Sequence, residues 1–171
     1  MKTYKDFMLE CSEIEESSLS RIKSKTDKGG VAILSGSRGD KSKKENKARA
    51  KQLDKDIKGK GLPGATKATG RWTEKDDDTG KETKVKERSH IVSSGKKGKR
   101  KFKKAIKSLG KKYGQDSVLT QTKKTGTLAA TRKGGLGKGP KNKRIRAGKF
   151  KPQGKNPDGQ SQIKGKTFTY G

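Results

Sequence analysis

The sequence contains very few of the residues that form metal sites, disulfides or nucleophilic centres. Cys11 is its only cysteine and His90 its only histidine, so one chain can build neither a disulfide framework nor a zinc site of cysteine and histidine ligands. A Cys11–His90 catalytic pair would need a third, orienting group that no pattern supplies. We therefore predict no catalytic residue, no metal and no cofactor, and a protein that is not an enzyme.

Apolar residues are scarce as well, at 24% of the 171 residues, and aromatic residues make up only 5%. No run approaches the ~20 apolar residues of a membrane-spanning helix, and the amino terminus lacks the apolar centre of a secretory signal. The chain also has 23 glycines and is 38% charged. Only a small core can form, flanked by segments that bury too little surface to offset their chain entropy.

Acidic residues number 18 against 47 basic ones, which gives a formal net charge of +29. Such an excess favours a polyanionic partner, because phosphates neutralised by lysine and arginine release their condensed counterions. We predict DNA or another polyanion as the partner. A membrane surface is disfavoured as the partner, because the one clear amphipathic leader, residues 1–16, is acidic rather than basic.

A short strand and a capped helix open a basic domain predicted over residues 29–131. Residues 31–34 form a continuous apolar run, which indicates a buried strand. Ser42 and Glu45 make a capping box that begins a helix, and glycine ends this helix near Gly59.

A second helix is predicted from about Arg100 to Tyr113, with one apolar face and one lysine-rich face. Further short strands are expected within 62–72 (one edge strand), 90–92, 117–119 and 127–130. The predicted fold is α+β: a small mixed or antiparallel sheet, two amphipathic helices, an N-terminal leader helix and a basic, Gly/Lys-rich, partly extended C-terminal tail.

Two other features of this domain have a structural interpretation. The adjacent carboxylates of residues 76–78 lack the spacing of a calcium loop and are typical of a solvated hairpin tip. His90 is expected to be a half-exposed residue of the returning strand rather than a general base.

The segment 35–42, SGSRGDKS, joins the first strand to the first capped helix. A strand, a glycine-rich turn and a helix amino terminus are the parts of a phosphate cradle, to which Arg38 and Lys41 would add charge. The nucleotide-binding pattern GxxxxGK[ST] is absent, however. An ordinary turn in which Asp40 or Ser42 caps the helix is the favoured interpretation.

The predicted nucleic-acid contacts are basic residues of this turn, of the second helix and of the C-terminal region. They are Arg38, Lys41, Arg100, Lys101, Lys103, Lys104, Lys107, Lys111, Lys112, Lys141, Lys143, Arg144 and Arg146.

The flanks of the domain have a polar composition. Residues 17–28 are rich in Ser and Lys and are predicted to be a linker. Residues 132–171 are predicted to be a basic low-complexity tail, in which apolar islands at 145–150 and 167–170 could add a late strand.

Residues 1–16, MKTYKDFMLECSEIEE, form an acidic amphipathic leader. They resemble the capsid-targeting leader of internal head proteins of T-even-type tailed phages. In that family the leader docks onto the prohead scaffold and the prohead protease cuts after Leu or Ile, any residue, then Glu. The resemblance implies cleavage after Glu16, both of these partners, and a location in the capsid interior, with a period in the host cytoplasm during infection.

The central region resembles a different group, small uncharacterised α+β domains of bacteria and phages. The most specific block is LGKKYGQDSVL, residues 109–119. The group supports a fold and no mechanism.

Together these features predict a virion-associated protein that is packaged with DNA and binds it non-specifically. Two alternatives remain open. One is an early host-takeover or nucleic-acid-processing factor, which could be an enzyme with the 35–42 turn as its best site. The other is a structural component of head or tail.

Overall fold

The computed structural model describes residues 19–75, 79–136, 143–152, 159–163 and 165–170. The fold is α+β, as predicted, with three helices and one nine-stranded antiparallel sheet that is nearly closed into a barrel.

The helices are α1 (19–28), α2 (Lys43–Gly59) and α3 (Lys99–Lys112). The strands are β1 (Val31–Ser35), β2 (Thr66–Lys75), β3 (Glu82–Ser93), β4 (Ser117–Gln121), β5 (Gly126–Ala130), β6 (Arg144–Gly148), β7 (Phe150–Pro152), β8 (Gly159–Ile163) and β9 (Lys166–Tyr170).

The strand order is β6-β5-β4-β1-β3-β2-β8-β9-β7, and every neighbouring pair is antiparallel. The two outermost strands, β6 and β7, follow each other in the chain with only Lys149 between them. This short connection brings the two ends of the sheet together, so the sheet curls towards closure.

Two apolar clusters hold the helices on the sheet. The first joins α2 and α3 to β1, β3 and β4; its members include Ala32, Leu34, Leu53, Ile57, Val92, Phe102, Ile106, Leu109, Tyr113 and Val118. The second joins α1 to β1, β2, β3, β8 and β9; it comprises Leu19, Ile22, Val31, Ala68, Ile91, Ile163 and Phe168. Burial of these side chains is the main contribution to the stability of the fold, although this core is small for the chain length.

The start of α2 follows from its sequence. Ser42 accepts a hydrogen bond from the N–H of Glu45, while the Glu45 carboxylate accepts one from the N–H of Ser42. This reciprocal pair is the predicted capping box and satisfies two donors at the helix end. The helix then buries Ala50, Leu53 and Ile57 against the sheet.

Helix α3 also occupies the predicted place, but its amino end has no side-chain cap, because Gly98 stands at the N-cap. Near its other end, Gly110 is buried against β4, where a Cβ would overlap the Val118 side chain. This close approach brings the carboxyl end of α3 next to the sheet and beside the 35–42 turn.

Several local predictions were wrong. Residues 19–28 form α1 rather than part of a linker, because Leu19 and Ile22 find apolar partners on distant strands. β2 is a ten-residue inner strand between β3 and β8, not a short edge strand. The sheet is larger than expected, since four strands come from the region beyond residue 131 that was predicted to be a tail.

The carboxylates of residues 76–78 lie outside the described residues. In the described part of the chain, no group of three His, Cys, Asp or Glu side chains could hold a metal ion. No described helix is long and apolar enough to cross a membrane.

Candidate active site

The 35–42 turn lies where the end of β1, the start of α2 and the carboxyl end of α3 meet. The Ser35 hydroxyl donates to the Arg88 carbonyl of β3 (2.8 Å) and accepts from the N–H of Ser37 (3.1 Å). Gly36 packs against the α2 backbone so closely that a Cβ would lie 3.1 Å from the Arg49 carbonyl oxygen. The sequence SG at the end of the strand therefore fixes the direction in which the turn leaves the sheet.

Several N–H donors of the turn and of the amino end of α2 are bound by the chain's own side chains. The N–H of Arg38 donates to Asn46 Oδ1 (2.9 Å), and the capping box uses the N–H groups of Ser42 and Glu45. The Asn46 amide also donates to the Arg38 and Lys41 carbonyls. This geometry is that of a capped turn, with these donors turned inward rather than presented as an open phosphate cradle.

The Arg38 side chain is partly exposed (43%), yet it is held by two contacts. Its Nε donates to Asp40 Oδ1 (2.8 Å), and its Nη1 donates to the Gly114 carbonyl at the end of α3 (3.2 Å). The hydrogen bond from Arg38 is the main reason that the pKa of Asp40 lies below its usual range. An ionised Arg–Asp pair therefore faces solvent at the turn.

Arg49 of α2 connects the turn to α3. Its Nε donates to the Gly36 carbonyl (2.7 Å) and its Nη2 donates to the Tyr113 carbonyl (2.7 Å). The guanidinium carbon also lies 5.4 Å from the centre of the Tyr113 ring, a cation–π distance. One half-buried cation thus holds both backbone segments on either side of the turn.

Tyr113 continues this network to an acid on α2. Its hydroxyl donates to Asp56 Oδ2 (2.6 Å), and Lys112 Nζ lies 2.7 Å from the same oxygen. The Lys112 and Tyr113 hydrogen bonds lower the pKa of Asp56. Burial, followed by the bond to Asp56, raises the pKa of Tyr113.

A groove of about 360 Å³ opens beside Asp56, between α2 and α3. Its lining comprises Lys55, Asp56, Gly59, Lys60, Ser108, Leu109 and Lys112. Volumes of this size are within the range of small-ligand sites. Its lining contains three cations and one anion, and Lys112 already neutralises that anion.

His90 is buried on β3, with 1% of its side chain exposed. Its Nε2 lies 3.4 Å from Asp54 Oδ1, and Asp54 pairs with Lys67 of β2. Neither ring nitrogen makes a well-formed hydrogen bond with the described residues. The prediction of a half-exposed histidine was therefore wrong, because α2 covers this part of β3.

Burial, and next the charge of Lys67, lower the pKa of His90. The unfolded chain then binds the proton more strongly, so stability should fall as the pH drops below ~6.5, the ordinary histidine value. We expect the free energy of unfolding of the wild type, measured by urea titration, to fall between pH 7.5 and 5.5 by up to about 1.4 kcal/mol per pH unit, and that of His90→Gln to fall less. Equal falls in both proteins would contradict this assignment.

The lowered pKa values of the Asp40, Glu45 and Asp56 carboxyls do not affect this comparison. These groups lose their contribution to stability only below about pH 4.

The family model of the S-adenosylmethionine lyases matches residues 32–171, from β1 to the last residue. The chain belongs to the S-adenosylmethionine lyase family. No curated protein matches it.

Membership in the lyase family corrects three predictions made from the sequence. The central region is not part of an uncharacterised domain group, because the lyase match covers it. The identification of the chain as an internal head protein that is packaged with DNA was wrong as an account of its function. The prediction of a non-enzymatic protein was also wrong, since this family is one of enzymes. The alternative of an early host-takeover or nucleic-acid-processing factor, which could be an enzyme, agrees better with the lyase family.

The structure brings some of the predicted site residues together and leaves others apart. Arg38 and Lys41 lie on the turn. The basic residues of α3 are exposed on its outer face, and only Lys112 among them pairs with an acid of the described chain. Three basic residues are exposed at β6 or directly before it, three strands from β1 in the sheet order. They are Lys143, Arg144 and Arg146. Lys141 and Glu16 lie outside the described residues, and nucleic-acid contact and leader cleavage stay predictions.

Sequence reasoning did not select Arg49 or Asp56, and it assigned Tyr113 only to the apolar face of α3. Arg49 and Asp56 stand seven residues apart on α2, which places them on one side of the helix, two turns apart. That spacing was the sequence feature that could have indicated a shared polar side of α2. The many lysines around these residues concealed it.

Proposed function

We propose that the protein is an enzyme that cleaves S-adenosylmethionine. The observation that carries this proposal is the lyase family match over residues 32–171, which includes β1 from its second residue, strands β2 to β9, α2 and α3. The match starts within β1 and therefore includes the 35–42 turn and its partners on α3.

The substrate is itself activated for cleavage. Its sulfur is a positively charged sulfonium. When the bond from sulfur to the amino-acid chain breaks, the electron pair stays on sulfur and a neutral thioether leaves. The released carbon either bonds to an oxygen of the substrate's own carboxylate, which closes a lactone, or its neighbouring carbon loses a proton to a base, which forms a C=C bond. The sulfonium charge is lost in this step, so charges close to the sulfur affect how well the substrate binds. The protein has to bind and orient the substrate so that the bond breaks within a fixed geometry.

The two polar regions on the helical side differ in how well they suit this substrate. The α2–α3 groove has Lys55, Lys60 and Lys112 in its lining, and these cations repel a sulfonium. The single acid of the groove is engaged by Lys112 and Tyr113. The turn carries two cations, Arg38 and Lys41, and the Asp40 carboxylate contacts both of them, so its formal charge is +1 against +2 for the groove lining. We therefore place the amino-acid end of the substrate at the turn.

Liquid chromatography with mass spectrometry on purified full-length protein tests this function. We expect S-adenosylmethionine to be consumed and one adenosine-containing thioether to appear in equal amount. S-adenosylhomocysteine, which has a neutral sulfur, is the matched control and should remain intact. Persistence of S-adenosylmethionine with folded protein would reject the proposal.

A further inference from the structure

Arg38 is an exposed cation of the described residues whose backbone and side chain are both fixed. The Asn46 side chain binds the Arg38 N–H (2.9 Å) and carbonyl (3.0 Å). Asp40 and the Gly114 carbonyl bind its guanidinium. An exposed arginine loses side-chain entropy when it is held in this way, and a surface ion pair returns little stability.

Gly114 gives further support, because the sequence leaves room for the Arg38 side chain there. Gly114 has a φ of +69°, which favours glycine, and a Cβ at this position would lie 2.5 Å from Arg38 Nη1. Gly114 therefore allows the backbone to turn with a positive φ at the end of α3, and it leaves room for the Arg38 guanidinium. Two segments 76 residues apart in sequence combine to hold one exposed cation.

The guanidinium keeps donors for a ligand. Nε is used by Asp40 and Nη1 by Gly114, whereas Nη2 makes no hydrogen bond with any described residue. A planar guanidinium with free N–H groups is suited to a carboxylate. Asp40 stands beside it; its Oδ1 accepts from Arg38 Nε and its Oδ2 lies 4.0 Å from Lys41 Nζ, and the remaining lone pairs of this carboxylate can accept from an ammonium group. An adjacent cation and anion complement the zwitterionic end of an α-amino acid.

We infer that Arg38 binds the α-carboxylate of the substrate and so fixes its amino-acid end at the 35–42 turn. This inference rests on the proposed function for the identity of the substrate. It assigns Arg38 to substrate binding and Gly114 to positioning of the Arg38 side chain.

Binding calorimetry with two uncleaved ligands tests the inference. The probes are S-adenosylhomocysteine and its carboxamide, which replaces the carboxylate by a neutral group of nearly the same shape. Wild-type protein is expected to bind the carboxylate about 10- to 100-fold more tightly, the range typical of a charge-assisted hydrogen bond. Arg38→Met should lose most of this preference and bind the carboxamide with nearly unchanged affinity.

Three further variants separate binding from folding. Arg21→Met, at an exposed position of α1, should keep the full preference. Arg38→Lys keeps the positive charge but loses the planar set of guanidinium N–H donors, so an intermediate preference for the carboxylate probe is expected. Gly114→Ala leaves Arg38 in place but displaces its guanidinium, and it should reduce the preference while the carboxamide affinity stays close to wild type.

Equal affinity of the wild type for the two probes would overturn the inference, as would failure to bind either of them. A preference that survives in folded Arg38→Met would also overturn it. The proposed function is judged separately by cleavage: turnover without carboxylate preference rejects only the role of Arg38, and preference without turnover rejects only the lyase activity. If Arg38→Met does not fold, the inference is judged from the affinities of the wild type and of Arg38→Lys for the two probes.

Discussion

Arg49→Met is expected to lower the free energy of unfolding by about 3 kcal/mol, which corresponds to a fall in Tm of roughly 6–12 °C for a chain of this size. The substitution keeps an unbranched, apolar stem but removes the guanidinium, and with it both hydrogen bonds, to the Gly36 and Tyr113 carbonyls, and the contact with the Tyr113 ring. Hydrogen bonds from a charged donor contribute about 1.5–3 kcal/mol each, and two on one side chain are not fully additive. The loss should also loosen the turn and lower the rate of S-adenosylmethionine cleavage.

Urea unfolding followed by circular dichroism measures this effect. Arg21→Met removes an exposed arginine from α1 and should change stability by less than about 0.5 kcal/mol. Similar midpoints for the Arg49 and Arg21 variants would show that Arg49 does not link the turn to α3.

The second large effect concerns salt: kcat/KM for S-adenosylmethionine should rise with ionic strength. The chain carries a formal net charge of +29, and the substrate, with a sulfonium, an ammonium and a carboxylate, carries one net positive charge. The protein field therefore opposes the approach of its substrate. Because the Debye length falls from ~30 Å at 0.01 M salt to ~8 Å at 0.15 M, we expect a roughly three- to tenfold increase over this range.

The matched control is inhibition by S-adenosylhomocysteine, which has no net charge and should show a much smaller salt dependence. A kcat/KM that falls with salt would mean that local negative potential at the site outweighs the charge of the whole chain. The turn would then be a poor candidate, because Arg38 and Lys41 both lie on it.

Local sequence signals were sufficient for α2, α3, β1 and the β4–β5 hairpin. The capping box of α2 involves residues three apart, and the apolar face of α3 repeats at helical spacing. These features depend on neighbours in the chain, so the sequence alone contains the information. The antiparallel pairing of β4 with β5 across a short turn follows for the same reason.

Features that depend on distant residues could not be predicted. Helix α1 has only a few apolar side chains, and what buries them includes Ile163 and Phe168 from the far end of the chain. β2 is an inner strand because β8 pairs with it. No pattern within residues 62–72 indicates that a glycine- and lysine-rich segment will supply its neighbour.

The candidate site shows the same division. The 35–42 turn was recognisable from its glycines and its position between a strand and a helix. Arg49 looked like one more solvated cation on a lysine-rich helix, and its role depends on the Tyr113 carbonyl 64 residues away. Membership in the lyase family could not be read from short motifs either, because the sequence contains no metal-ligand or triad pattern.

The most direct test of enzymatic cleavage is a turnover count. Purified full-length protein is mixed with a hundredfold excess of S-adenosylmethionine, and the adenosine-containing thioether is quantified over time beside a protein-free sample. We predict many molecules of product per chain, at a rate that Arg21→Met leaves unchanged and Arg38→Met reduces. Product that never exceeds the protein-free sample would contradict the assignment of this protein as a lyase.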